Sequence, residues 1–174
     1  MRRLLLLRHA KSDWPPGVAD EDRPLAARGR LAAPLMGDYL ARAALIPDRV
    51  LVSPAKRTVQ TWELIQPALP VTVEAEFVPA LYEAHEDDIL AVIRTTPAAV
   101  RSLLIVGHNP GLEQLAASIV DYGAEPALKR LAHKFPTSGL AVIELPVDDW
   151  SDARRHTGRL DRFVTPKSLG SAED

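Results

Sequence analysis

An α/β fold, a three-layer α/β/α sandwich around a mostly parallel central sheet, is what this sequence predicts, on three observations. Apolar runs rich in Leu, Val and Ile recur at residues 4–7, 50–52, 71–78, 103–106 and 140–145, each bounded by turn or charged residues, which marks strands. The stretches between most of them carry apolar residues at helical spacing. The strand runs are nearly continuous in apolar character, without polar residues alternating through them, as expected of a sheet covered on both faces. A chain of 174 residues, 47% hydrophobic and 25% charged, suits one domain, expected over residues 1–164.

Taken in order, the first run (4–7) is a strand, followed by a helix carrying Leu31, Leu35, Tyr39, Leu40 and Ala43. The strand at 50–52 leads into a helix with Val59, Trp62, Glu63 and Ile65, and the strand expected at 71–78 leads into one with Ile89, Leu90 and Ile93. After 103–106 comes a helix with Leu112, Leu115, Ala116 and Ile119, then the strand at 140–145. Residues 148–156, of mixed charge with one Trp, read as a solvated loop or hairpin before a last strand at 160–164. Residues 165–174 read as a loose tail. No repeat is visible, and fifteen prolines are scattered without forming a linker.

Composition excludes several classes. There is no cysteine, so disulfide frameworks, thiolate metal sites and cysteine-nucleophile mechanisms are ruled out. A chain of this length buries roughly two thirds of its unfolded surface and needs no structural metal. The opening Met-Arg-Arg-Leu-Leu-Leu-Leu has only four apolar residues in a row before Arg8, short of the roughly 7–15 of a signal peptide or the roughly 20 of a membrane span. The expected location is the cytoplasm, without membrane attachment. A net charge of -2, with no basic stripe of interleaved aromatics, argues against a nucleic-acid partner and makes any anion site local.

In open α/β sheets ligands bind beyond the carboxyl ends of the strands. The first run ends in Arg8-His9, the second in Ser53-Pro54-Ala55-Lys56-Arg57-Thr58, and the fourth in Gly107-His108-Asn109-Pro110-Gly111. Ser53 and Asn109 are expected as helix N-caps, with Pro54 and Pro110 at the first helical positions. Lys56 and Arg57 then fall in a first turn, where the dipole disfavours cations by about 0.3–1 kcal/mol each unless an anion is bound. The bland alternatives are an Arg57 that points into solvent and a His108 that is structural. Three strand tips offering His, Arg and His to one crevice favour an anion site. Arg8 and Arg57 suit a phosphoryl group, because a guanidinium grips two oxygens at once. A neutral imidazole, from His9 or His108, is able to attack phosphorus and form a phosphohistidine.

These motifs, Leu-Arg-His-Ala-Lys-Ser, Arg23-Pro24-Leu25 with Arg28-Gly29, Ser53-Pro54-x-x-Arg57-Thr58-x-Gln60-Thr61 and Gly107-His108-Asn109-Pro110, resemble the histidine phosphatase superfamily, whose fold is phosphoglycerate mutase-like. Within it the sequence is most similar to SixA-like phosphohistidine phosphatases. The resemblance spans residue 4 to about 145. It implies His9 as nucleophile, Arg8, Arg57 and His108 as the phosphate pocket, with Arg23 reaching the same pocket, and no metal or cofactor. One departure is Ala10, where many members have Gly.

By its alignment with the family motif, Glu83 is the first choice of proton donor and Glu86 the second. The competing reading makes Glu86, Asp87 and Asp88 an acidic helix start, and His85 beside them a weak metal candidate, since consecutive helical residues do not face one ion. The expected substrate is a phosphorylated protein bearing phosphohistidine, because a chain of this length has little room for the inserted segments by which the family's mutases clamp a small substrate. A small-molecule phosphomonoesterase and a non-catalytic phosphate-binding protein are the alternatives. The sequence does not speak to oligomeric state.

Overall fold

The computed structural model of the chain describes residues 1–171. Strands β1 (Arg2–Arg8), β2 (Arg49–Val52), β3 (Ala75–Phe77), β4 (Ser102–Gly107), β5 (Val120–Gly123), β6 (Leu140–Leu145) and β7 (Gly158–Val164) form one sheet in the order β3-β2-β4-β1-β6-β7-β5. The helices are α1 (Ala27–Arg42), α2 (Lys56–Ile65), α3 (Glu86–Arg94), α4 (Gly111–Ile119) and α5 (Glu125–His133). Pairing is parallel except at β6, which runs against both β1 and β7. The predicted α/β sandwich with a mostly parallel sheet is therefore the observed fold.

The leucines of β1 divide between two cores by strand alternation. Leu4 and Leu6 face α3, α4 and α5, meeting Ile93, Leu115 and Leu131, while Leu5 and Leu7 face α1 and α2, meeting Met36, Leu40 and Trp62. All four are fully buried. Burying one such side chain stabilises the fold by roughly 1.5–3 kcal/mol, so β1 is clamped from both faces up to the point where Arg8 and His9 emerge. Two glycines then draw helix starts onto the loops around that point. A Cβ on Gly29 would lie 2.2 Å from the Lys11 carbonyl oxygen, and one on Gly111 would lie 2.2 Å from that of Ala84, so only glycine permits either approach.

Four details differ from expectation. The third strand spans three residues instead of 71–78, because it is the sheet edge and its only partner, β2, is itself four residues long. Strand β5 and helix α5 went unrecognised, since α5 buries one side chain, Leu131, and so carries little periodic signal. The segment 148–156 is anchored and not simply solvated: Trp150 is fully buried in the core, and its indole N–H donates to the Val100 carbonyl at 2.6 Å. The loose tail expected from residue 165 is ordered in its first part, where Thr165 is buried, Lys167–Leu169 forms a 3-10 turn and Leu169 packs on the core. The rest of that expected tail, residues 172–174, lies outside the described residues.

Candidate active site

His9 follows β1 directly, and its backbone N–H donates to the Gly107 carbonyl at 3.1 Å, stapling the tips of β1 and β4 together. Its Nδ1 lies 2.7 Å from the Ala10 carbonyl. A carbonyl only accepts, so Nδ1 carries the proton and Nε2 keeps its lone pair. Burial pushes the His9 pKa down to about 3, and His108, Arg8 and Arg57 add to the shift against the opposing Ala10 hydrogen bond. At neutral pH His9 is thus an uncharged imidazole with Nε2 unprotonated. The His108 ring lies 5.3 Å away, its Nε2 within 2.7 Å of Ser53 Oγ. Burial first and Arg57 second lower its pKa to about 4.

Arg8 donates from Nη1 to the Phe135 carbonyl at 3.0 Å. Arg57 sits in the first turn of α2 and is buried, so the solvent-pointing alternative does not hold. Its Nη1 donates to the Asp20 carbonyl at 2.7 Å and its Nη2 to Asp20 Oδ2 at 3.2 Å. Three buried nitrogens of this group have no protein partner: Arg8 Nε, Arg57 Nε and His108 Nδ1. A guanidinium Nε–H left unpaired costs roughly 1–3 kcal/mol, and Arg2 and Arg49, away from this group, leave the same atom unpaired.

Arg23 is buried next to this group and reaches it through Asp20, donating from Nε to Asp20 Oδ1 at 3.1 Å while its Nη1 holds Ser12 Oγ at 3.1 Å. Its guanidinium stacks 3.5 Å over the Trp14 ring. Asp20 is the residue that reading the sequence missed. Its carboxylate takes hydrogen bonds from Tyr82 Oη, Arg57 and Arg23, which together hold its pKa down at about 2, and the same contact raises the Tyr82 pKa to about 12. The available signal was an Asp20-Glu21-Asp22 run abutting the Arg23-Pro24-Leu25 motif.

Neither expected N-cap is one. Helix α2 starts at Lys56 with Ala55 at the cap, and α4 starts at Gly111 with Pro110 at the cap. Ser53 is recruited by His108, and its carbonyl accepts from Thr58 Oγ1 at 2.7 Å. Asn109 donates to the Phe135 carbonyl at 2.9 Å, the same oxygen that anchors Arg8. Both side chains are spent on building the pocket wall.

Glu83 lines a cavity of about 200 Å³ together with Arg57, His108 and Asn109. Its backbone is left-handed, φ 53°, a conformation costing a non-glycine residue about 1–2 kcal/mol. Glu86, the second choice, is turned elsewhere: it accepts from Ser118 Oγ at 2.7 Å and pairs with Arg155 at 3.5 Å. Asp87 also pairs with Arg155, and Asp88 Oδ2 accepts the His85 backbone N–H at 2.9 Å. These three acids do form the acidic start of α3, and among the described residues no three acids or histidines gather as a metal site. No helix among the described residues is long and apolar enough to cross a membrane.

A sheet of this order with His9, His108, Arg8 and Arg57 gathered at its carboxyl edge defines a class, and residues 4–143 match the histidine phosphatase superfamily (branch 1). The chain belongs to that superfamily. It is 36% identical over 163 residues to the uncharacterized protein Rv1276c of Mycobacterium tuberculosis, covering 92% of this chain and 100% of the relative. To the phosphohistidine phosphatase SixA of Escherichia coli it is 28% identical over 145 residues, covering 82% of this chain and 85% of the relative. Among solved structures, the protein histidine phosphatase SixA complexed with tungstate superposes with a TM-score of 0.77 at 26% identity, covering 96% of this chain and 99% of the other.

Proposed function

We propose that the chain is a phosphohistidine phosphatase that works through a covalent phosphoenzyme on His9. The observation that carries this is the neutral His9, its Nε2 lone pair unprotonated, next to Arg8 in the chain, with the His108 ring 5.3 Å away and Arg57 lining the same cavity as His108. In the first step Nε2 attacks phosphorus, and the bond to the substrate imidazole breaks with its electron pair leaving on that ring. The two guanidiniums and His108 stabilise the charge on the equatorial oxygens. In the second step a water oxygen bonds to the phosphorus, the P–N bond breaks with its electron pair returning to His9 Nε2, and the water's protons leave with the phosphate. The relatives bearing the SixA name support phosphohistidine as substrate, and the neighbour that holds tungstate, a tetrahedral oxyanion, supports the anion pocket.

One observation favours a second reading. Glu83 lines the cavity, and a carboxylic acid there would suit an alkoxide leaving group, as in a small-molecule phosphomonoesterase. A protonated imidazole leaves more readily and depends less on such an acid. Wild type and His9→Ala are compared on a phosphohistidine peptide and a panel of sugar phosphates, with phosphoenzyme trapped in alkali, where a phosphoramidate survives. The variant is expected to lose turnover by a factor on the order of 10⁴ or more and to form no phosphoenzyme. Equal turnover by the variant removes the nucleophile, while a wild-type preference for a sugar phosphate keeps the mechanism and overturns the substrate.

A further inference from the structure

We infer that the groove between α5 and the segment after β7 docks an acidic surface of the phosphorylated protein substrate. The inference rests on the phosphohistidine-protein reading above and concerns what surrounds the phosphohistidine.

The groove is a cavity of about 520 Å³ lined by Lys129, Arg130, His133, Lys134 and Lys167, with no carboxylate in its lining among the described residues. On a chain whose net charge is -2, Lys129, Arg130 and Lys134 make this a local concentration of positive charge. Arg130 is fixed in place by a hydrogen bond from Nη2 to the Phe163 carbonyl and lies 5.5 Å over the Phe163 ring. Lys129 is well exposed and pairs at 2.8 Å with Glu125 one turn earlier, a surface contact that a partner's carboxylate can replace.

Sheet register ties this groove to the site. Leu7 of β1 pairs with Leu140 of β6, and Leu140 with Val164 of β7, so the tips of β1, β6 and β7 lie side by side at one edge. Two strand spacings put the groove's edge about 10 Å from the strand that ends in His9. One loop serves both places: Lys134 and Pro136 line the groove, the Phe135 carbonyl holds Arg8, and the Ser138 N–H bonds the Arg8 and His9 carbonyls at 3.1 Å. A docked protein covers about 800 Å² on each partner, a patch roughly 30 Å across. A protein that delivers a phosphohistidine to His9 along this edge is wide enough to reach the groove as well, whereas a free small substrate is not. Charges at that distance steer encounter and are screened by salt.

The test uses two phosphohistidine peptides of equal length, one flanked by glutamates and one by glutamines, together with the free amino acid phosphohistidine. Wild type is expected to prefer the acidic peptide by about tenfold in kcat/KM at low salt, with the preference fading as salt rises. The double variant Lys129→Glu, Lys134→Glu is expected to lose that preference while turning over free phosphohistidine at the wild-type rate, which also reports that it folds. Equal turnover of both peptides by wild type, or a preference that survives in the variant, overturns the groove and leaves the phosphohistidine reading standing. Turnover of neither peptide beside turnover of a sugar phosphate overturns that reading itself.

Discussion

His9 and His108, at the tips of β1 and β4, are tied to strand backbone or to Ser53 in the turn between β2 and α2, and their charged forms are suppressed by burial. Asp20 opens a short 3-10 turn and Tyr82 and Glu83 lie in a loop, and Asp20 keeps 44% of its side-chain surface in water. Floor and rim therefore differ in what sets their chemistry. On the floor, desolvation fixes protonation, and the positions are inherited from a sheet that packing makes rigid. At the rim, hydrogen bonds to neighbours dominate, and loop positions admit change without disturbing the core. In the mechanism proposed above, attack on phosphorus falls to the floor and the choice of leaving group to the rim. Arg57 joins the two, buried at the helix start yet held by Asp20.

The sharpest way to break this division is at that junction. Arg57→Ala is expected to cut kcat by about 10²–10³ on phosphohistidine and phosphoester substrates alike, and Arg57→Lys to recover only part, since an ammonium cannot hold two oxygens as the fork does. A steady-state comparison across both substrate types checks it, and a loss confined to one type would place Arg57 with the rim.

Glu83→Gln is the converse. It is expected to lower turnover of an alkyl phosphoester by about 10² through loss of acid catalysis, and that of a phosphohistidine peptide by only a few-fold. Equal losses on both would show that Glu83 acts on something other than the leaving group.

The smallest effect concerns stability. His9 and His108 have native pKa values of about 3 and about 4, below the ordinary histidine value near 6.5. The unfolded chain thus binds more protons between those limits, so stability rises with pH there and is lost as pH falls from about 6.5 toward 4. Thermal melts of wild type over that range are expected to slope more steeply than those of His108→Gln. Parallel slopes would mean that His108 is not held neutral by the fold.

Much of the floor was legible because it is local in sequence. Each of His9, Arg57 and His108 follows an apolar run, and strand tips are where such sheets bind ligands. Asp20 was not legible, since its meaning comes from Arg57 and Tyr82, 37 and 62 residues away. Ser53 and Asn109 fit helix caps in their local sequence, but His108 and Phe135 claim them across the fold. Trp150 shows the same limit in the core, its charged neighbours hiding a fully buried indole.

The α/β class, the strand tips that bear chemistry and the likeness to histidine phosphatases can all be read along the chain, because apolar periodicity and short motifs are written in neighbouring residues. It took the folded chain to show which nitrogen of His9 is free, that Arg57 turns inward, that Glu83 and not Glu86 lines the cavity, and that a basic groove lies two strands from His9. Those outcomes depend on desolvation and on partners brought together from distant parts of the chain, which no local pattern encodes.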